Sequence, residues 1–234
     1  MKVKLTLALL ALASLLPLQA GTPAPAPAPV QPTVSAEEIS YNNASLGYLF
    51  RQLNGPDVLE ASAHGVGLGL EFSPAESIYL AAGGSWVNGQ ATLPVIVDGS
   101  PVLADLDIDY YTANVGAGYY IPLADSLHFV TEVGVNYANL DVAGTSDGTW
   151  GVYATPHLRY KAGPFEVHAG ISYSSNENSL VTWDSFARLV YEVSEGLDFV
   201  INASTSINDS EGLSNRNFGN WSTQSLGAGL RLKF

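Results

Sequence analysis

Twelve charged side chains share one parity in a chain otherwise poor in charge: Arg51, Glu71, Glu132, Arg159, Lys161, Glu166, Asp184, Arg188, Glu192, Asp198, Arg231 and Lys233. Each sits in a stretch where apolar residues recur at every second position, so all twelve lie on the polar side. If successive stretches pair as hairpins, Glu132 falls near His157 and Arg159, and His168 falls near Arg188. Asp198 then lies between Glu192 and Arg188 on one side and Arg231 and Lys233 on the other. Acids and bases meeting in this way could form a polar constriction that selects small ions. They could equally neutralise one another in an enclosed interior, and because buried ions need partners the second reading is preferred. The candidate network is Glu71, Glu132, His157, Arg159, Glu166, His168, Arg188, Glu192, Asp198 and Arg231.

A second cluster is "DLDID", with Asp105, Asp107 and Asp109 on one face of an extended segment. Carboxylates so spaced could share a hard cation such as calcium, but the glycine and spacing of a calcium loop are missing. Solvated loop acids are the preferred reading. Catalysis by a Ser-His-acid set would need its members at one depth. His128, His157 and His168 fall together near one end of their stretches, and His64 lies on the apolar parity. No such set assembles, so no enzyme and no cofactor are expected.

Ten alternating stretches position these residues, at about 44–52, 62–72, 77–87, 108–121, 126–139, 149–161, 164–175, 182–193, 197–207 and 222–234. Short turns ("SPAES", "PLADS", "AGP", "SEG") alternate with longer, acidic connections that carry Asp57, Glu60, Asp98, Asp141, Asp147, Glu177, Asp209 and Glu211. The longest holds an apolar piece, Leu93 to Val97, read as a hairpin extension or a contact site. Short connections on one rim and long ones on the other predict an all-β, antiparallel up-and-down barrel of ten strands, with eight as the alternative. Pro156 falls mid-strand, where its missing donor predicts a bulge or an unpaired carbonyl.

Which face is inside follows from the two parities. The apolar face carries no Glu, Lys or Arg, its one Asp being Asp109 at the edge of the fourth stretch, and ends in aromatics. Trp86, Tyr111, Tyr137, Trp150, Tyr173 and Trp183 lie toward the long connections, and Phe72, Phe129, Tyr160, Phe165, Tyr191, Phe199 and Phe234 toward the short turns. Two aromatic belts around an aliphatic band match the two interfaces of a bilayer. The charged face also holds most strand glycines beside Tyr79, Tyr110, Tyr120 and Tyr153, as a filled narrow lumen requires. The apolar face is therefore outward, toward lipid, and the barrel is transmembrane.

Composition agrees. Only 13% of residues are charged, against roughly 25% in ordinary soluble domains. A net charge of −13 argues against nucleic acid, and the absence of cysteine excludes disulfides and thiol chemistry. Residues 1–20 have a basic start and an apolar run from Leu5 to Leu18, the pattern of a secretory signal peptide. Residues 21–40 include "GTPAPAPAPVQPT", a Pro/Ala-rich linker that favours extended polyproline II. The barrel is assigned to 41–234.

On "GVGLGLEF", "ANVGAGYYIPL" and the closing "GAGLRLKF", the sequence resembles the small outer-membrane β-barrel proteins of Gram-negative-type bacteria, the opacity-protein and porin-like group. The resemblance covers about 44–234. It implies an integral outer-membrane location, a periplasmic linker, and outer-membrane lipid as a partner. It also implies that Leu230, Leu232 and Phe234 form the signal read by the barrel-assembly machinery during insertion. Members of the group include adhesins, small-solute channels and enzymes, so no activity follows from it. Two functions stay open: a structural or surface-recognition barrel with a filled lumen, acting through acidic extracellular loops on an unidentified surface ligand, and a narrow porin-like channel for ions or very small solutes. A barrel enzyme is the weaker third.

Overall fold

Ten strands close into one antiparallel sheet: β1 (Asn43–Asn54), β2 (Glu60–Ala75), β3 (Ile78–Val97), β4 (Ser100–Ala124), β5 (Leu127–Val142), β6 (Thr145–Ala162), β7 (Phe165–Ser174), β8 (Trp183–Ser194), β9 (Leu197–Ile207) and β10 (Ser222–Lys233). Each strand pairs with its sequence neighbours, and β1 closes the ring on β10. The structure, a computed structural model, describes residues 39–54, 60–98, 100–176, 183–207 and 222–234. The predicted signal peptide, nearly all of the predicted linker, and Asp57, Glu177, Asp209 and Glu211 lie outside the described residues. With β1 and β2 both inside the closed ladder, the eight-stranded alternative is excluded.

The two rims differ in their connections. At one end, two-residue turns join β2 to β3, β4 to β5, β6 to β7 and β8 to β9. Three irregularities of the ladder, at Phe72/Ala75, Pro122/Ala124 and Glu192/Ser194, cluster at that same end.

At the other rim the strands run beyond the alternating stretches, for β3 and β4 as the hairpin-extension reading of Leu93 to Val97 had it. β3 and β4 continue as a paired ladder to Val97 opposite Ser100, and β5 and β6 to Val142 opposite Thr145. Ala143 and Gly144 both have positive φ (52° and 81°), the backbone of a tight hairpin turn matched to strand twist. The extended β3–β4 ladder absorbs the three aspartates. Asp109 accepts hydrogen bonds from Asn88 (3.0 Å) and Trp86 (3.2 Å), Asp107 from Gln90 (3.2 Å), and Asp105 from Thr92 (2.6 Å). Neighbours two apart on one strand stand about 7 Å from each other, so these carboxylates do not converge. Among the described residues, no group of three or more His, Asp or Glu side chains is placed to hold a metal ion.

Of the two outcomes expected at Pro156, a bulge or a gap in the pairing, the structure shows the gap. Tyr153 opposes Ser174 and Ala154 opposes Tyr173 above it, while His157 opposes Gly170 below, so the register is unbroken and there is no bulge. The ladder simply lacks its pairing at 155 and 156. The side chains of Thr155 and Ser172 bridge the gap with a 2.8 Å hydrogen bond between their hydroxyls.

The outer surface is apolar. Leu46, Leu68, Leu80, Val115, Val133, Val152, Ile171, Leu226 and Leu230 are among its exposed large side chains. The aromatics at the long-connection end form cross-strand pairs in register: Trp86 with Tyr111, Tyr137 with Trp150, and Tyr173 with Trp183, with ring centroids 6.4, 5.2 and 4.8 Å apart. At the other end Phe165 pairs with Tyr191 at 5.2 Å. An exterior of this size and composition could not stay in water without aggregating, and it matches the banding of a membrane barrel. The fold is the inside-out, transmembrane kind.

Candidate functional site: the lumen

The short-turn half of the lumen is built on Arg159 and Glu166, which meet diagonally across the β6–β7 hairpin, Arg159 opposing His168 and Glu166 opposing Lys161. The hairpin's turn is set by Gly163 at φ 55°. Arg159 is fully buried. It donates from Nε and Nη2 to Glu166 Oε1 (2.9 and 2.7 Å), from Nη1 to Glu71 (3.1 Å), and from Nη2 to the Ser40 carbonyl (3.0 Å). Glu166 Oε1 also bonds His168 Nε2 (2.7 Å), and Glu166 Oε2 accepts from Arg231 (2.7 Å). Arg231 continues to Asp198 (2.7 Å), Lys233 joins Asp198 (3.4 Å) to Glu192 (2.9 Å), and Lys161 reaches Glu192 (3.6 Å). Charges therefore alternate around the lumen wall. Planar guanidinium forks and carboxylates share several hydrogen bonds, the condition under which buried ions are tolerated, although Arg231 Nη1 and Asp198 Oδ1 are buried without a hydrogen-bond partner among the described residues.

The chain just before β1 turns into this lumen. Ile39 and Tyr41 are both buried. The Tyr41 ring stacks on Tyr120 (4.2 Å between centroids, 3° between planes) and lies beside Tyr79 (5.1 Å). Its hydroxyl hydrogen-bonds with His128 Nδ1 (3.0 Å), and the Arg159 guanidinium sits 4.2 Å from the ring centre. With Tyr79, Ala81 and Val130 these residues form an apolar cluster across the short-turn end. Sequence reading assigned residue 40 to the linker and did not see this plug. The available signal was parity: Ile39 and Tyr41 continue the inward, odd-numbered positions of Asn43 and Ser45.

Glu132 stands apart from the arginines. It accepts from Tyr79 (3.0 Å) and Tyr153 (2.7 Å), and not from His157 or Arg159 as hairpin adjacency predicted. The tyrosines reach it by lying over glycine. A Cβ on Gly118 would come 2.1 Å from the Tyr79 ring, and one on Gly116 would come 2.3 Å from the Tyr153 hydroxyl. Gly118→Ala is therefore expected to displace Tyr79 from Glu132 and cost about 1–3 kcal/mol, the usual range for overpacking. Urea unfolding of the detergent-folded barrel would measure this, and an unchanged midpoint would refute the contact.

The remaining predicted residues divide. His157 stacks against His168 (6.0 Å) and hydrogen-bonds with the backbone oxygen of Thr155 (3.2 Å). Arg188 opposes His168 in register, yet its hydrogen bond goes from Nε to Asn202 (2.8 Å), and it forms no ion pair among the described residues. Seven of the ten predicted residues thus join one network (Glu71, Arg159, Glu166, His168, Glu192, Asp198 and Arg231), with Asn43 bonded to Glu71 as an unforeseen member. His64 faces outward, its Nδ1 bonded to the Tyr48 hydroxyl.

Above this floor the filling is uneven. Val87, Ile108, Tyr110 and Ala138 pack as a second apolar cluster on the β2–β5 side. On the β1, β2 and β10 side, Gly47, Gly67, Gly69 and Gly229 line a cavity of about 240 Å³ bounded by Arg188 and Arg231.

No family model matches the sequence, and no curated protein is significantly similar to it. Solved structures of outer-membrane β-barrel proteins are similar in fold. Neisserial surface protein A is 11% identical, with 83% of this chain and 98% of that one covered, at a TM-score of 0.42. The NanC porin is 12% identical, covering 82% and 100%, at 0.45. The outer membrane protease OmpT from Escherichia coli is 11% identical, covering 86% and 100%, at 0.47. The likeness is one of fold. A surface protein, a porin and a protease share it, so the activity of this barrel has to be argued from its own residues.

Proposed function

We propose that the chain is an integral outer-membrane barrel, closed at its short-turn, periplasmic end, that acts structurally or in surface recognition through the long connections at its outer rim. The observation that carries this reading is Tyr41. Its ring is stacked on Tyr120, bonded to His128 and covered by Arg159, so a tyrosine and an ion network both occupy the floor of the lumen. A ten-stranded barrel is only modestly wider than the eight-stranded kind whose side chains fill it, which favours closure over conduction. On this reading the signal peptide directs export and the Pro/Ala-rich linker remains on the periplasmic side.

Conductance in planar bilayers tests it. The wild-type barrel is expected to be closed or barely conducting, and Tyr41→Ala, which removes the stacked ring, should add a small leak. A large, steady conductance in the wild type, unchanged by Tyr41→Ala, would favour the narrow-channel reading instead.

A further inference from the structure

Two arginines on the lumen wall form no ion pair among the described residues. Arg51 on β1 has its Nε and Nη1 buried without a hydrogen-bond partner among the described residues, and its guanidinium lies 5.3 Å from the Tyr110 ring centre. Among the described residues, Arg188 on β8 donates only from Nε, to Asn202. Both line one cavity of about 230 Å³ together with Asp184, Phe186, Asn202 and Ser204.

Register explains why the arms meet there. Arg51 opposes Ser225, which opposes Ser204, while Arg188 opposes Asn202, which opposes Gly227. The two rows are one inward position apart, about 7 Å along the strand, and the residues between the arginines on β9 and β10 are small. Two long cationic arms thus lean over a low floor. Asp184 shares the space, with Oδ1 buried and unpartnered among the described residues.

We infer that this cavity is a binding site for a small carboxylate that also carries a hydroxyl or ammonium donor. The groups lining the cavity, two guanidiniums and one carboxylate, carry a single positive charge between them, which a monoanion balances. Guanidinium forks match a carboxylate's two oxygens, and the Asp184 oxygen accepts from a donor on the same ligand. The volume is below the roughly 300–1,000 Å³ of sites for drug-sized ligands, so few heavy atoms fit. The site lies above the closed floor and goes beyond the proposed function: it binds a ligand from the long-connection side without passing it on.

The test is calorimetric titration of the detergent-folded full-length chain with sodium lactate, acetate and inorganic phosphate. Lactate should bind saturably and more tightly than acetate. Arg51→Gln and Arg188→Gln should each weaken lactate about tenfold or more, as expected for lost charge-assisted hydrogen bonds, and Asp184→Asn should remove the preference over acetate. Phosphate binding tighter than lactate would overturn the carboxylate assignment, and absence of saturable lactate binding would overturn the site. Arg51→Leu guards against a purely structural explanation. Arg51 has no hydrogen-bonded or ion-paired partner among the described residues and only the Tyr110 ring beside it, so this variant should fold with a urea midpoint close to wild type while losing lactate. Loss of folding in Arg51→Leu would refute the inference, because it would show that Arg51 has a structural partner.

Discussion

Glu166→Gln should destabilise the barrel by about 3–5 kcal/mol, the range for removing one partner of a buried ion pair. Glutamine keeps the shape of the side chain but not its charge. Arg159 and Arg231 would both stay buried with a neutral amide where their shared carboxylate had been, and His168 would lose its partner. Urea titration in detergent, followed by the fluorescence of the four tryptophans and by the gel mobility of the folded form, reads the change. Combining Glu166→Gln with Arg159→Gln should cost less than the two singles added together, since the arginine's charge is then no longer stranded. A loss below about 1 kcal/mol for Glu166→Gln would mean that the network is not closed around this carboxylate.

Val115→Arg should impair insertion by about 2–4 kcal/mol, the depth-dependent cost of a cation on the lipid face near the midplane. Val115 points outward and lies midway along β4 between Tyr111 and Tyr119, all three exposed. Those aromatics are eight residues apart, about 27 Å along an antiparallel strand, so Val115 is the position farthest from either interface. Folding yield into lipid vesicles, compared with wild type and with a charge placed on the outer rim at Gln90→Arg, measures it. If Val115→Arg inserted as well as Gln90→Arg, the outward face would not be the lipid face.

The sequence alone determined the ten alternating stretches, the alternation of the two rims and the sidedness of the sheet, while closure through β1 and β2 decided ten strands over eight. The first three each rest on a local rule: side chains alternate every residue, two-residue turns need Gly, Pro or small polar residues, and a bilayer sorts aromatics to its edges. Leu226, Leu230 and Leu232 on one parity and Arg231 and Lys233 on the other carry that information within a single strand. The β3–β4 extension was one of two readings of Leu93 to Val97, and the β5–β6 extension was missed, because polar strands above the membrane lose the apolar alternation that marks strands within it. Asn88, Gln90 and Thr92 bonded to Asp109, Asp107 and Asp105 read as a loop until they are paired.

Which lumen charges meet was decided by closure of the sheet. Adjacency along hairpins located Asp198 beside Arg231 and Glu192, where partners sit on neighbouring strands. It could not locate Arg159 against Glu71, 88 residues away on a strand that β6 does not touch in the ladder. Curling ten strands into a ring brings opposite walls within reach of an arginine's arm. That curvature also creates the enclosed space that Tyr41 fills and the cradle between Arg51 and Arg188. Each of these contacts crosses the lumen, and the position of one wall relative to another is fixed by tilt and stagger around the whole barrel, which no single strand encodes.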